Sequence, residues 1–443
     1  MNRIFEIIVS RVLTKTNVIV FVSVQNILSI FSVFSSPIRI PPRTSIGLLT
    51  GISILLIGAL LYLYKKKKLI LHFQSIDLFV YMFVVANALS LIFSQHIFDI
   101  TNFRLLLSAV VQYTAIRFIV LSEKEKLKSL LVIGWTTVVI GFISLFQLLF
   151  REQAIILAQR FLFGDAAYSI ARDLARGRGA QWGNIIITFP FFMYMATMMK
   201  NQNDIVALLF RWLGIFLVPF SFIVSNFRGL TLCFLLGMTV YAYYIFHFRY
   251  LSIKKMVPMF ISLVLATSFG IGLASFVFQY NLIDRFLFKE KSRDIQATIG
   301  RIPLYKQAVD ALVASPIFGV GLGNYRYEVE HIQSVSFYNI INGETGVKET
   351  EKEPVSSHND VLTILAESGI FGIITYGGIL YFVIKKLWTL LYYGKELSKN
   401  RRLLLMAFFV SIGMYFLSGM FENTPPNNIV YLFFLYAAIA SWT

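Results

Sequence analysis

Residues 46–64 of the chain read IGLLTGISILLIGALLYLY, and four consecutive lysines, Lys65 to Lys68, follow them. An α-helix of about 20 apolar residues is long enough to cross the hydrocarbon core of a bilayer. Lysines next to such a helix are typical of its cytoplasmic end. This stretch therefore predicts a membrane-spanning helix whose C-terminal end faces the cytoplasm.

The composition of the whole chain agrees with that prediction. Of its 443 residues, 57% are hydrophobic and 14% are charged, and the mean hydropathy is +0.70. Soluble globular proteins average about 25% charged residues, so the composition excludes a soluble or disordered protein. The net charge of +17 would suggest a nucleic-acid partner in a soluble protein, but here basic loops explain it and no nucleic-acid partner is expected.

A search for further apolar segments predicts an all-α polytopic membrane protein of about twelve spans. If the N-terminus is cytoplasmic, the short outer loops hold only Arg39 and Arg43, and the other short loops are strongly basic, as the positive-inside rule requires. Both termini are therefore expected in the cytoplasm. The predicted spans are approximately 17–35, 46–64, 76–94, 104–121, 129–150, 183–199, 205–225, 229–247, 256–278, 359–384, 403–421 and 427–442.

Two loops on the outer side are longer than connections between helices usually are. The first is at about 151–182, within a region 1–278 that holds nine spans. The second is a large extracytoplasmic loop at 279–357, and residues 358–443 hold the last three spans.

The large loop contains an amphipathic segment that starts at Arg301. Leu304, Ala308 and Leu312 recur at helical spacing after Pro303, a residue that suits a first helical turn. We expect a helix that lies along the outer membrane surface. It should end at Ser315-Pro316, and the glycines of residues 319–323 predict a tight turn after it.

Charged side chains inside or at the mouth of a span are costly and so mark candidate functional sites. Arg228 lies at the outer boundary between two consecutive spans. It either reaches the membrane interface or binds an anion, because a guanidinium can grip phosphate oxygens bidentately. Arg301 begins the amphipathic helix, where a cation opposes the helix dipole. It is either a solvated residue or the partner of a bound phosphate or carboxylate.

His358 lies in Ser357-His-Asn-Asp360, where residues that favour helix N-caps lead from a loop into a span. An imidazole can act as a general base, although an interfacial histidine without a catalytic task explains the same residue. Glu367 lies on the same face of a continuous helix as Asp360 and opposite His358. We therefore expect Glu367 to bond to backbone or to a basic side chain inside the bundle, not to orient His358.

The first long loop contains another basic segment, Arg176-Gly-Arg178-Gly-Ala-Gln-Trp-Gly-Asn184. This segment is either a flexible basic loop or a ligand contact. The sequence holds no Asp-x-Asp pair, Walker loop, HExxH motif or Cys/His cluster with metal-ligand spacing. We therefore expect neither a metal site nor a cofactor.

The order of these motifs resembles the O-antigen ligase family, whose superfamily includes protein O-oligosaccharyltransferases and polysaccharide polymerases. The resemblance is carried by Gly300-Arg301, by residues 314–325, which read ASPIFGVGLGNY, and by residues 357–372, which read SHNDVLTILAESGIFG. Arg228-Gly229 and the segment from Arg178 to Asn184 look like two upstream signatures of the family.

The resemblance implies an inverting, metal-independent glycosyltransferase at the periplasmic face of a bacterial inner membrane. The donor would be a glycan on undecaprenyl diphosphate, and the acceptor would be a hydroxyl of the lipid A core or of another glycan. His358 would be the base, and Arg228 and Arg301 would bind the diphosphate. The other residues expected to contact substrate are Arg178, Asn184, Asn359 and Tyr325.

Three alternatives remain open at this stage. A polysaccharide polymerase and a transferase that modifies protein Ser or Thr would share the donor site, so the same residues do not separate them from a ligase. A twelve-span transporter is the alternative from another class. Transporters usually have repeated halves and binding sites near the midplane, whereas the candidate residues here gather at one outer face.

Overall fold

The structure is a computed structural model. It describes residues 72–94, 101–119, 228–248, 253–278, 301–325, 357–394 and 397–420, with isolated positions within 53–65, 138–153 and 213–217. Every regular element in these residues is an α-helix, in agreement with the predicted all-α class. The helices are α1 (Ser75–Phe93), α2 (Thr101–Phe118), α3 (Arg228–His247), α4 (Ile253–Phe278), α5 (Arg301–Ala314), α6 (Asp360–Tyr393) and α7 (Lys399–Gly419).

All of these helices except α5 coincide with predicted spans. Three candidate spans, Ser75–Phe93, Asp360–Tyr393 and Arg401–Gly419, are long and apolar enough to cross a membrane. The helix α5 confirms the predicted amphipathic helix and its end before Ser315. The spans predicted at 17–35, 183–199 and 427–442, and most of 46–64, 129–150 and 205–225, lie outside the described residues. The number of twelve, the division at 278 and 357, and the membrane side therefore stay predictions.

Helices α1 and α6 pack against each other in opposite directions. The rings of Phe79 and Phe382 lie 5.3 Å apart, and those of Phe83 and Tyr376 lie 5.9 Å apart. A Cβ at Gly378 would overlap the Phe79 ring. Small residues let membrane helices approach closely, so glycine at this position allows the aromatic contact between the two helices.

A polar network joins α1, α2 and α6 at one end of this pair. The Arg117 guanidinium donates to the Asp77 carboxylate over 2.9 and 3.1 Å, and the Tyr113 hydroxyl donates to the same carboxylate. Lys386 Nζ donates to Gln74 Oε1 over 3.0 Å. Asp77 and Arg117 are both buried. The network fixes the relative position of the three helices, and we call this end of the bundle the Lys386 end.

Helix α7 runs antiparallel to both α6 and α3. Arg402 Nη2 donates to Gly394 O over 3.1 Å, and at the other end Asn359 Nδ2 donates to Met420 O over 3.3 Å. A Cβ at Gly237 in α3 would overlap the side chain of Met414 in α7. Nearer the Lys386 end, the Tyr241 hydroxyl of α3 lies 3.5 Å from Leu403 O of α7. The starts of α3 and α6 and the end of α7 therefore share the opposite end of the bundle, which we call the His358 end.

Candidate functional site

Helix α5 packs along the first half of α6. The contact is made of small, fully buried residues, Ala308 and Ala311 on α5 and Ala366 on α6, with Leu362 of α6 packed against them. Alanines let the two helix backbones lie close together. A second stripe of α5 is exposed and mainly apolar; it consists of Ile302, Val309 and Val313, with Lys306 among them.

Helix α6 is broken at Gly369. The loop after α5, residues 315–325, supplies hydrogen-bond partners for the backbone groups at the break. In a continuous helix the amides of Ile370 and Phe371 would donate to the carbonyls of Ala366 and Glu367. Instead, Ile370 N donates to Pro316 O over 2.9 Å and Phe371 N donates to Ile317 O over 3.2 Å. The two freed carbonyls accept from the loop: Val320 N to Ala366 O over 2.9 Å, and Gly321 N to Glu367 O over 3.0 Å. All four backbone groups thus keep a partner, as backbone at membrane depth requires.

Two glycines make this exchange of hydrogen bonds possible. Gly369 has φ 64° and ψ −162°, a backbone region that is essentially restricted to glycine. A Cβ at Gly369 would lie 2.7 Å from Gly319 N and closer still to the Ile317 carbonyl. Gly319 has φ 73°, and a Cβ there would lie 2.5 Å from Glu367 O. The tight turn predicted from the glycines of residues 319–323 is confirmed, whereas the sequence did not predict the break in α6.

The segment that leads into α6 holds His358 in an unusual backbone conformation. Asn359 is the N-cap, because its Oδ1 accepts from Leu362 N over 3.0 Å. Ser357 is buried, and its hydroxyl bonds to Asn359 O over 2.7 Å and to Thr363 Oγ1 over 2.6 Å. His358 lies between these two anchored residues with φ 52°, in the left-handed region, and is partly exposed. Non-glycine residues held in this region cluster at active sites.

Tyr325 anchors the loop to the first turns of α5. Its side chain is 1% exposed, and its hydroxyl donates to Leu304 O over 2.7 Å. Burial, and secondarily the carboxylate of Glu367, raises the pKa of Tyr325, so the phenol is neutral and acts as a donor. The structure thus gives Tyr325 a role in holding α5, and its contact with substrate stays a prediction.

The directions of the helices bring the three predicted catalytic positions to one end of the bundle. Since the end of α5 is bonded at the break and its middle packs on Leu362 and Ala366, α5 and the first half of α6 run in the same direction. Arg301 lies seven residues before Ala308, about 10 Å along the helix, so it sits beside the start of α6, where His358 is. Arg301 is half-buried there.

Arg228 is the first residue of α3, and its backbone lies at the same end. It precedes Gly237, which contacts Met414, by nine residues, or about 14 Å of helix. From Met414, α7 continues about 9 Å to Met420, which bonds to Asn359, so the start of α3 reaches at least as far towards the His358 end. The side chain of Arg228 is outside what the structure describes, and so are Arg178 and Asn184.

Two polar residues of α1 and the residue that caps its end, Ser94, bond to the break and its loop, and sequence reasoning missed all three. Ser90 Oγ donates to Glu367 O, and Ser94 Oγ donates to Val320 O over 2.8 Å. Asn87 Oδ1 accepts from the Ser368 hydroxyl over 2.7 Å. The signal was present in the sequence, because residues 87, 90 and 94 follow helical spacing in the apolar second half of the span. We call Asn87, Ser90 and Ser94 the α1 stripe.

The chemistry available at the His358 end follows from these residues. A partly exposed imidazole can take a proton from a hydroxyl, and arginines near a helix start can hold an anionic group. Within the described residues, no three His, Cys, Asp or Glu side chains form a group that could hold a metal ion. The arrangement suits a reaction in which a hydroxyl attacks next to an anionic leaving group.

Comparison with known proteins matches one part of the chain to a known family. Residues 213–377 match the family model described as O-antigen ligase, which confirms the family resemblance over this range. The match begins before α3, ends within α6 and includes Arg228, Arg301 and His358. The α1 stripe and the segment from Arg178 to Asn184 lie outside it. No curated protein matches the chain.

Proposed function

We propose that this chain, an integral membrane protein with an O-antigen ligase family domain at residues 213–377, ligates O-antigen onto the lipid A core. It would be an inverting glycosyltransferase that moves a glycan from undecaprenyl diphosphate to an acceptor hydroxyl. One observation carries the proposal. Arg228 and Arg301 are the first residues of α3 and α5, His358 leads into α6, and all three positions lie at the same end of the bundle.

In this reaction His358 is the general base. Its imidazole takes the proton of the acceptor hydroxyl while that oxygen attacks the anomeric carbon of the donor. The bond between the anomeric carbon and the diphosphate oxygen breaks, its electron pair leaves with undecaprenyl diphosphate, and the configuration inverts. A positioned base contributes typically about 10²–10⁴-fold to the rate. The capped segment Ser357–Asn359 supports this role, because it anchors the backbone on both sides of His358 where α6 begins.

Arg228 and Arg301 bind the diphosphate and stabilise the charge that develops as it leaves. Guanidinium groups bind phosphate oxygens with two parallel hydrogen bonds, and fixed charges in a site that excludes water stabilise a developing anion strongly. A diphosphate at the start of α5 would also satisfy the positive end of the helix dipole, which resolves the conflict that Arg301 creates there. On this proposal the arginines take the place of a metal ion, and no cofactor is used.

Four further residues belong to the proposal as substrate contacts. Asn359 ties the start of α6 to the end of α7 through Met420 O, and it lies next to the base. Tyr325 holds α5 through Leu304 O and so supports Arg301. Arg178 and Asn184 come from the segment that resembles the family's upstream signature.

The proposed location is a bacterial inner membrane, with the His358 end at the periplasmic face and both termini in the cytoplasm. The charge pattern supports this orientation. Lys386, Arg117, Arg401 and Arg402 lie towards the Lys386 end, and basic residues favour the cytoplasmic side of a membrane.

A single set of assays tests the proposal. Purified protein is incubated with a glycan on undecaprenyl diphosphate and, separately, with lipid A core, a second donor molecule or a Ser/Thr peptide. Transfer to the lipid A core is the expected result. Transfer only to the second donor would identify a polymerase, and transfer only to the peptide a protein O-oligosaccharyltransferase. If none of the three accepts the glycan, the transferase proposal is wrong.

A further inference from the structure

The break in α6 is held from the side by a helix outside the matched domain. Ser94 Oγ both donates to Val320 O and accepts from Asn324 Nδ2 over 2.9 Å. A Cβ at Gly321 would lie 3.0 Å from the same Ser94 Oγ, so the loop and α1 are in direct contact. The rings of Phe93 and Phe318 stack beside this contact with their centroids 4.6 Å apart. The loop at the break therefore packs against the end of α1.

The two serines of the α1 stripe donate to elements other than their own helix. A buried serine in a membrane helix commonly bonds to the carbonyl four residues before it, as Ser411 does with Ala407 O over 2.7 Å. Ser90 and Ser94 donate instead to the backbone carbonyls of Glu367 and Val320 on other elements. Asn87 Nδ2 donates to Phe83 O of its own helix, and Asn87 Oδ1 accepts from the Ser368 hydroxyl.

Both residues whose carbonyls accept from the serines take part in the exchange of hydrogen bonds at the break. Glu367 O already accepts from Gly321 N, and Val320 N already donates to Ala366 O. Ser90 therefore binds the α6 side of the break and Ser94 binds the loop side. The α1 stripe therefore bonds to both α6 and the loop at the break and fixes their position relative to the rest of the bundle.

We infer that Asn87, Ser90 and Ser94 are positioning residues for the transfer reaction, a role that rests on the proposed function. The helix α5 and the first half of α6 form one packed unit, which is attached to the bundle at the break and, at the start of α6, through the bond from Asn359 to Met420 O. From Glu367 back to Asp360, the first residue of α6, the helix covers about 10 Å, and His358 lies two residues before Asp360. A small shift at the break therefore moves His358 and Arg301 together relative to Arg228 on α3. Misplacement of catalytic groups by about 1 Å can lower a rate about 10²-fold.

The test compares Ser90→Ala and Ser94→Ala with Ser411→Ala. The control removes a buried hydroxyl from a membrane helix as well, but among the described residues that hydroxyl bonds to a carbonyl of its own helix. For each full-length purified variant, kcat, the donor KM and the thermal unfolding midpoint are measured with the acceptor that the wild-type protein uses. Ser94→Thr keeps the hydroxyl and serves as the conservative variant.

We expect kcat to fall about 10- to 100-fold in Ser90→Ala and Ser94→Ala. Their donor KM should change less than kcat, their unfolding midpoints should match that of Ser411→Ala, and Ser94→Thr should retain most of the wild-type kcat. Wild-type kcat in both alanine variants would overturn the inference while the proposed function stands. Failure of these variants to fold, while Ser411→Ala folds, would assign the contacts to folding and overturn it equally. Absence of transfer by the wild-type protein would overturn both.

Discussion

Replacing Gly369 with alanine tests the hydrogen-bond exchange at the break in α6. Gly369 adopts φ 64° and ψ −162°, where a side chain is strained whatever the space around it. The new Cβ would also meet backbone atoms of Ile317 and Gly319, which cannot rotate away as a flexible side chain can. The variant must therefore either keep the break under strain or straighten α6 and expel the loop.

The size of the effect follows from these two outcomes. Residues forced into this backbone region cost about 1–3 kcal/mol. A straightened α6 regains two of its own hydrogen bonds but loses the four that join it to the loop, so two bonds are lost, at about 0.5–1.5 kcal/mol each. Because the overlap with backbone also has to be relieved, we expect Gly369→Ala to destabilise the protein by about 2–5 kcal/mol.

The matched control is Gly377→Ala, eight residues further along the same helix. A Cβ at Gly377 meets no atom within 4 Å, and alanine in a helix interior is favoured over glycine by about 0.5–1 kcal/mol. Thermal unfolding of both purified variants in detergent compares them with the wild-type protein. A lower midpoint is expected for Gly369→Ala only. Equal midpoints for the two variants would show that the break does not need glycine and would refute the reasoning.

Three further predictions concern the site and the Lys386 end. His358→Ala should abolish transfer while donor binding persists, because the base is lost and the arginines remain; wild-type turnover by the folded variant would remove His358 from the mechanism. Transfer should survive EDTA, because Arg228 and Arg301 are proposed to hold the diphosphate; an activity that EDTA removes and Mg²⁺ restores would contradict this. Asp77→Asn should lower stability by about 3–5 kcal/mol in thermal unfolding, because it leaves the Arg117 charge buried without its carboxylate; an unchanged midpoint would show that the ion pair is not a structural clamp.

Much of the fold could be predicted from local sequence. A helix that crosses a membrane must satisfy its own backbone hydrogen bonds, so long apolar segments predicted α1, α3 and α7 to within a few residues. Predicted span 359–384 was too short, because α6 continues to Tyr393 and carries Lys386 to its contact with Gln74. The helix α5 and the cap at Asn359 were also predictable, since both depend on neighbours in sequence.

The candidate site was only partly predictable. The types of residue, His358 and the two arginines, were visible in the motifs, and the alternation of spans indicated that they share one face. The left-handed conformation of His358 was not visible, because it depends on Ser357 being buried and bonded to Thr363. The buried position of Tyr325 was not visible either, since its partner Leu304 lies 21 residues away.

By itself, the sequence determined where the chain enters and leaves apolar surroundings, where its helices are capped and which groups could perform chemistry. These properties depend on composition and on interactions between residues a few positions apart. The tertiary structure alone decided that α6 breaks at Gly369 and that α1 holds the break. A glycine within an apolar span is compatible with a straight helix, and the bent form is stable only where a loop from a distant part of the chain supplies the missing hydrogen bonds.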